Sequence, residues 1–130
     1  MTDTTPTGRS TTTRQELGRW GEDLAAQHLE ATGARVLSRN WRTRRGELDL
    51  VALEPDGTIV FVEVKTRTGS GFGEPAEAVG RVKAQRLRAL ACQWLAAERP
   101  PGAGDLRFDV VSVLRLRGEP TRVVHLRGAF

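Results

Sequence analysis

The chain is poor in cysteine and lysine: one Cys, at position 92, and two Lys, at 65 and 83. One cysteine excludes a disulfide framework and a Cys-rich zinc site. No apolar run approaches the ~20 residues that a membrane span needs. The opening Met-Thr-Asp-Thr-Thr-Pro lacks the basic and apolar regions of a signal peptide, so a cytoplasmic protein that meets no membrane is expected. The lysine shortage is offset by arginine, which supplies 18 of the 20 basic residues. Such a bias can reflect base composition alone, yet it makes each lysine a position to question.

The 130 residues suit one domain, and at 38% hydrophobic the chain can bury a core without staples. A net charge of +4 and a pI near 10.5 are compatible with a polyanionic partner without demanding one. Residues 1–13 hold seven Thr and almost nothing apolar, and read as a disordered tail ahead of a single domain over 14–130. Thr13-Arg14-Gln15-Glu16 is a capping box. Leu17, Trp20, Leu24, Ala25 and Leu29 follow at helical spacing, and Gly33 is the expected stop. A short strand fits 34–42. Two clear strands, 47–53 and 58–65, flank the turn Pro55-Asp56-Gly57. The segment 67–75 reads as a Gly-rich loop. A helix over 79–98 follows, with Val79, Val82, Leu87, Leu90, Ala91, Trp94 and Leu95 as its apolar stripe. Strands over 106–116 and 122–126 close the chain. This α-β-β-β-α-β-β order implies a mixed sheet with helices packed on it.

Chemistry concentrates on the central hairpin. A turn centred on Asp56 would set Asp49 opposite Glu63, and Glu47 opposite Lys65. Two carboxylates facing each other on apolar strands repel, and something positive must offset them. Lys65 is one answer, and a divalent cation is another, because Mg²⁺ is held by one or two carboxylates plus phosphate oxygens and water. An Asp followed after 13 residues by Glu-x-Lys supplies what metal-assisted phosphodiester hydrolysis needs. A strand Glu-x-Lys is often only a surface ion pair, but these charges interrupt the most apolar strand of the chain.

Several motifs then read together: Gly18-x-x-Gly21-Glu22-x-x-Ala25, Arg39-Asn40-Trp41-Arg42, Gly46-Glu47-Leu48-Asp49-Leu50-Val51, Phe61-Val62-Glu63-Val64-Lys65-Thr66-Arg67, Phe72-Gly73, Lys83, and Arg107-Phe108-Asp109-Val110-Val111. Jointly they resemble the YraN family of bacterial proteins, from about Gly18 to Phe130. That family is similar to the restriction-endonuclease-like PD-(D/E)xK superfamily and to archaeal Holliday-junction resolvases. The resemblance implies an α/β restriction-endonuclease-like core and a Mg²⁺- or Mn²⁺-dependent endonuclease acting on DNA rather than RNA, including branched DNA. It implies Asp49 and Glu63 as metal-binding carboxylates, Lys65 as the catalytic lysine and Glu22 as a carboxylate from the first helix. Glu47 is a further ligand or a partner for Lys65.

Arg42, Arg44, Arg45 and Arg67 bracket this site and suit phosphate contacts. Lys83, near the start of the second helix and close to the Gly-rich loop, is either a further phosphate contact or a solvated helix position. Asp109 reads as a structural hydrogen-bonding group. His28 and His125 show no metal-ligand spacing. Cys92 and the three Trp are assigned to the core. A homodimer would suit action on two strands, although no interface signature stands out. Two alternatives stay open: a nucleic-acid-binding module without hydrolysis, and a structural salt-bridge network.

Overall fold

The computed structural model describes residues 13–69 and 79–130. Residues 1–12 of the expected tail and most of the Gly-rich loop, with Phe72 and Gly73, lie outside the described residues. Helix α1 (Arg14–Ala31) starts on the predicted capping box: Thr13 Oγ1 accepts from Glu16 N–H, and Glu16 accepts from Thr13 N–H. Gly33, at φ 100°, follows its end in the left-handed conformation that glycine adopts without strain. Strands β1 (Arg35–Thr43), β2 (Gly46–Leu53) and β3 (Ile59–Gly69) follow, then helix α2 (Arg81–Glu98), β4 (Leu106–Leu116) and β5 (Arg122–Leu126).

The strands form one sheet in the order β1-β2-β3-β4-β5. β3 and β4 are parallel, joined through α2, and the other neighbours are antiparallel. The helices cover opposite faces. Ala25, Ala26 and Leu29 of α1 pack on Leu50, Ala52, Val60, Val62, Val111 and Val113. Leu87, Leu90, Ala91 and Trp94 of α2 pack on Leu48, Val51, Ile59, Phe61 and Phe108. Period-two alternation along β3 therefore feeds two cores.

Three details depart from the expectations. β3 runs on to Gly69, because its pairing with β4 continues residue by residue to Leu116. α2 starts at Arg81, and Val82 is 71% exposed rather than part of the stripe. Cys92 is exposed, since it lies one residue beyond Ala91 and about 100° off the buried line.

At the end of the sheet where β4 begins, a buried polar chain ties elements together. Asp109 is fully buried and accepts from Arg107 Nε (2.9 Å), His125 Nε2 (2.7 Å) and Gly128 N–H (3.0 Å). Arg107 also forks onto Glu54 at 3.0 and 2.8 Å. The other ring nitrogen of His125, Nδ1, lies 3.1 Å from His28 Nε2 of α1. These contacts hold Asp109 down at about 2, with its hydrogen bonds from His125 and Arg107 overcoming the upward push of burial.

Candidate active site

The other end of the sheet collects the acidic residues. The hairpin register is the predicted one for Leu50↔Val62 through Leu53↔Ile59, but it stops one pair short of Asp49 and Glu63. There the strands part, and Asp49 Oδ2 accepts Val64 N–H at 2.9 Å in place of a ladder bond. Asp49 and Glu63 are therefore not ladder partners, although the Glu63 charge still acts on Asp49. Glu63 follows Ile59 and Phe61 onto the α2 side, where Lys83 Nζ donates to its Oε2. The expected pairing of Glu47 with Lys65 is likewise absent. Glu47 faces its β1 neighbour Arg42 at 3.5 Å.

Asp49 turns instead toward α1. Glu22, Glu47 and Asp49 each offer a carboxylate oxygen, and these oxygens lie within 4.8 Å of one another. Two elements deliver them: α1 carries Glu22, and β2 carries Glu47 and Asp49. Gly21 makes the approach of Glu22 possible: a Cβ at Gly21 would stand 1.9 Å from Thr66 Oγ1, so only glycine lets α1 settle on β3 here. Asn40 of β1 sits in the left-handed region at φ 53°, the lone non-glycine there among the described residues. Its amide lies beside Glu22. Strained backbone of this kind collects where side chains must be aimed.

The electrostatics follow from crowding. Burial and then the Glu63 charge push the Asp49 carboxyl up to about 8, Glu22 and Glu47 add to this, and the Val64 N–H opposes it. Burial, followed by Glu47, also raises Glu22, while the Asn40 amide pulls it back. Lys65 is lowered by burial and then by Lys83 and Arg67, against Glu63 and Asp49. Three hard oxygen donors this close together, with Glu22 and Asp49 both raised, fit a divalent cation, which would replace the proton that Asp49 retains.

Two clefts meet at Glu22. One, of about 370 Å³, is lined by Gln15, Gly18, Arg19, Glu22, Asn40, Arg42 and Glu47. The second, of about 420 Å³, is lined by Arg14, Leu17, Gly18, Glu22, Asp49, Val64 and Thr66. Arg44 and Arg45 are exposed in the β1–β2 turn beside the first. Arg67 is half-buried on β3. Sequence reading missed Asn40, Arg14 and Arg19 as neighbours of the acids. A left-handed residue inside a strand has no sequence signature beyond the identity Asn, which tolerates it.

A mixed sheet of this order between two helices, with carboxylates gathered at one end, is a restriction-endonuclease-like core. A family model described as Uncharacterised protein family UPF0102 matches residues 21–113, and the chain belongs to that family. A UPF0102 protein of Frankia casuarinae is 54% identical over 117 residues, covering 90% of this chain and 98% of the relative. One of Parafrankia sp. is 55% identical over 116 residues, with 89% and 97% covered. One of Mycolicibacterium smegmatis is 52% identical over 122 residues, with 93% and 98% covered. Among the described residues no helix is long and apolar enough to cross a membrane.

Proposed function

We propose that this protein is a divalent-metal-dependent nuclease that hydrolyses phosphodiester bonds in DNA, branched DNA included. The observation that carries this reading is the convergence of Glu22, Glu47 and Asp49 within 4.8 Å, at an aspartate whose carboxyl is pushed up to about 8. Glu22, Glu47 and Asp49 would hold Mg²⁺ or Mn²⁺. When bound, such an ion polarises the scissile phosphate and lowers the pKa of a water.

The chain's own groups complete the reaction. Lys65, half-buried and lowered by its surroundings, is suited to take a proton at Nζ or to meet the charge that develops on the phosphate. An arginine in its place would stay protonated. Glu63 keeps Asp49 high and anchors Lys83 beside the site. Arg42, Arg44 and Arg45 supply phosphate contacts at the cleft rim, and Arg67 adds positive charge next to Lys65.

A second reading is a nucleic-acid-binding module that does not cut. It is favoured by one observation: Glu63 is tied to Lys83 and stands outside the three-carboxylate set. Cleavage of branched, single-stranded and duplex DNA with Mg²⁺ or Mn²⁺ decides between them. Wild type should cut, and Asp49→Ala, Glu63→Ala and Lys65→Ala should each lose at least ~10²-fold in rate. Salt-sensitive binding without cutting would establish the second reading.

A further inference from the structure

Two glycines lie one turn apart on α1, and only one of them is explained by the fold. Gly21 is required by Thr66. A Cβ at Gly18, by contrast, would meet no atom within 4 Å among the described residues. Glycine inside a helix is unfavourable relative to alanine, so its presence calls for something that comes close to the backbone. Gly18 is also the residue, together with Glu22, that lines both clefts. It stands four residues before Glu22, hence one turn away on the same face.

Arg14 lines the second cleft and Arg19 the first, so a cation flanks Gly18 on either side. Both are exposed, and neither forms a salt bridge among the described residues. Gln15 adds an amide to the first cleft. An open backbone position between two cations, one turn from the carboxylates, suits a strand whose phosphates meet the arginines as it passes over the glycine.

We infer that the first two turns of α1 form a track for the sugar-phosphate backbone of one nucleic-acid strand. Gly18 is its point of closest approach, and Arg14 and Arg19 are its phosphate partners. The track rests on the nucleic-acid reading above and extends it from the expected arginines onto α1, sharing the first cleft with Arg42. It does not depend on hydrolysis.

The test uses the full chain, fluorescence anisotropy of a labelled branched DNA in EDTA, and thermal melting of the same samples. Gly18→Ala should raise the melting temperature by a few degrees through helix propensity and weaken DNA binding by roughly tenfold. Gly18→Leu should weaken binding further. Arg14→Ala and Arg19→Ala should each lower affinity and reduce the salt slope by about one. Opposite signs for stability and binding are the signature, because a glycine needed only for folding would move both downward.

Gly18→Ala that binds like wild type overturns the inference, and so does Gly18→Ala that melts lower. Unchanged salt slopes in both arginine variants remove the phosphate assignment. Wild type that binds but never cuts sinks the nuclease reading and leaves the track standing. Wild type that binds no nucleic acid at all sinks both.

Discussion

Asp109→Asn probes the buried chain that joins β2, β4, β5 and α1. The side chain is fully buried and accepts from Arg107, His125 and the Gly128 backbone. Asparagine keeps the shape but removes the charge that Arg107 and His125 address. The carboxyl sits at about 2 against an ordinary 3.8, and that difference is worth about 2 kcal/mol of folding stability at neutral pH. Leaving Arg107 with Glu54 alone adds to the loss, so about 2–3 kcal/mol is expected. The sign with pH is fixed by the depressed value. The unfolded chain binds this proton more tightly, so the contribution is complete above 3.8 and fades as pH falls through about 2. Urea unfolding followed by circular dichroism at pH 7 should show the full gap between wild type and variant. The gap should close on acidification across that window. A variant within ~0.5 kcal/mol of wild type at pH 7 would refute the reasoning, as would a gap that widens in acid.

Two further outcomes follow from the site end of the sheet. Gly21→Ala forces a methyl group onto Thr66, which should cost about 1–3 kcal/mol, partly offset by up to ~1 kcal/mol of helix propensity. It should also weaken Mn²⁺ binding measured by calorimetry, since Glu22 rides on the same turn, and the double change with Thr66→Ala should recover stability. Asp49 is raised, so its folded form holds the proton more tightly and its ionisation lowers stability as pH rises from 3.8 through about 8. Asp49→Asn should thus melt higher than wild type above pH 8. Mn²⁺ should stabilise wild type and narrow the difference, and melting curves with and without the ion read this directly.

Local pattern carried the architecture well. Thr13 and Glu16 announced the start of α1, and Pro55-Asp56-Gly57 set the hairpin register. The apolar run of 58–65 became a strand with Val60 and Val62 in one core and Ile59 and Phe61 in the other. Pattern failed where a neighbour distant in sequence decides. Val82 fits a helical stripe yet is 71% exposed, because the described residues bring no apolar partner onto it. His28 and His125, 97 residues apart, became partners only once α1 and β5 met beside Asp109. The site was legible as a set of residue types and less so as a geometry. Extrapolating the ladder paired Asp49 with Glu63, whereas the register ends at Leu50 and Val62. Asp49 feels the Glu63 charge and also groups with Glu22 and Glu47.

The sequence by itself determined the element order, the two apolar faces of the sheet, and which acids and which lysine stand out. Those follow from periodicity and composition, which are local. Tertiary structure alone decided which carboxylates converge, that Lys83 engages Glu63, and that Gly21 must be bare while Gly18 is left open. Each of those depends on how closely one helix approaches one strand, and that distance is set by side chains far apart in the chain.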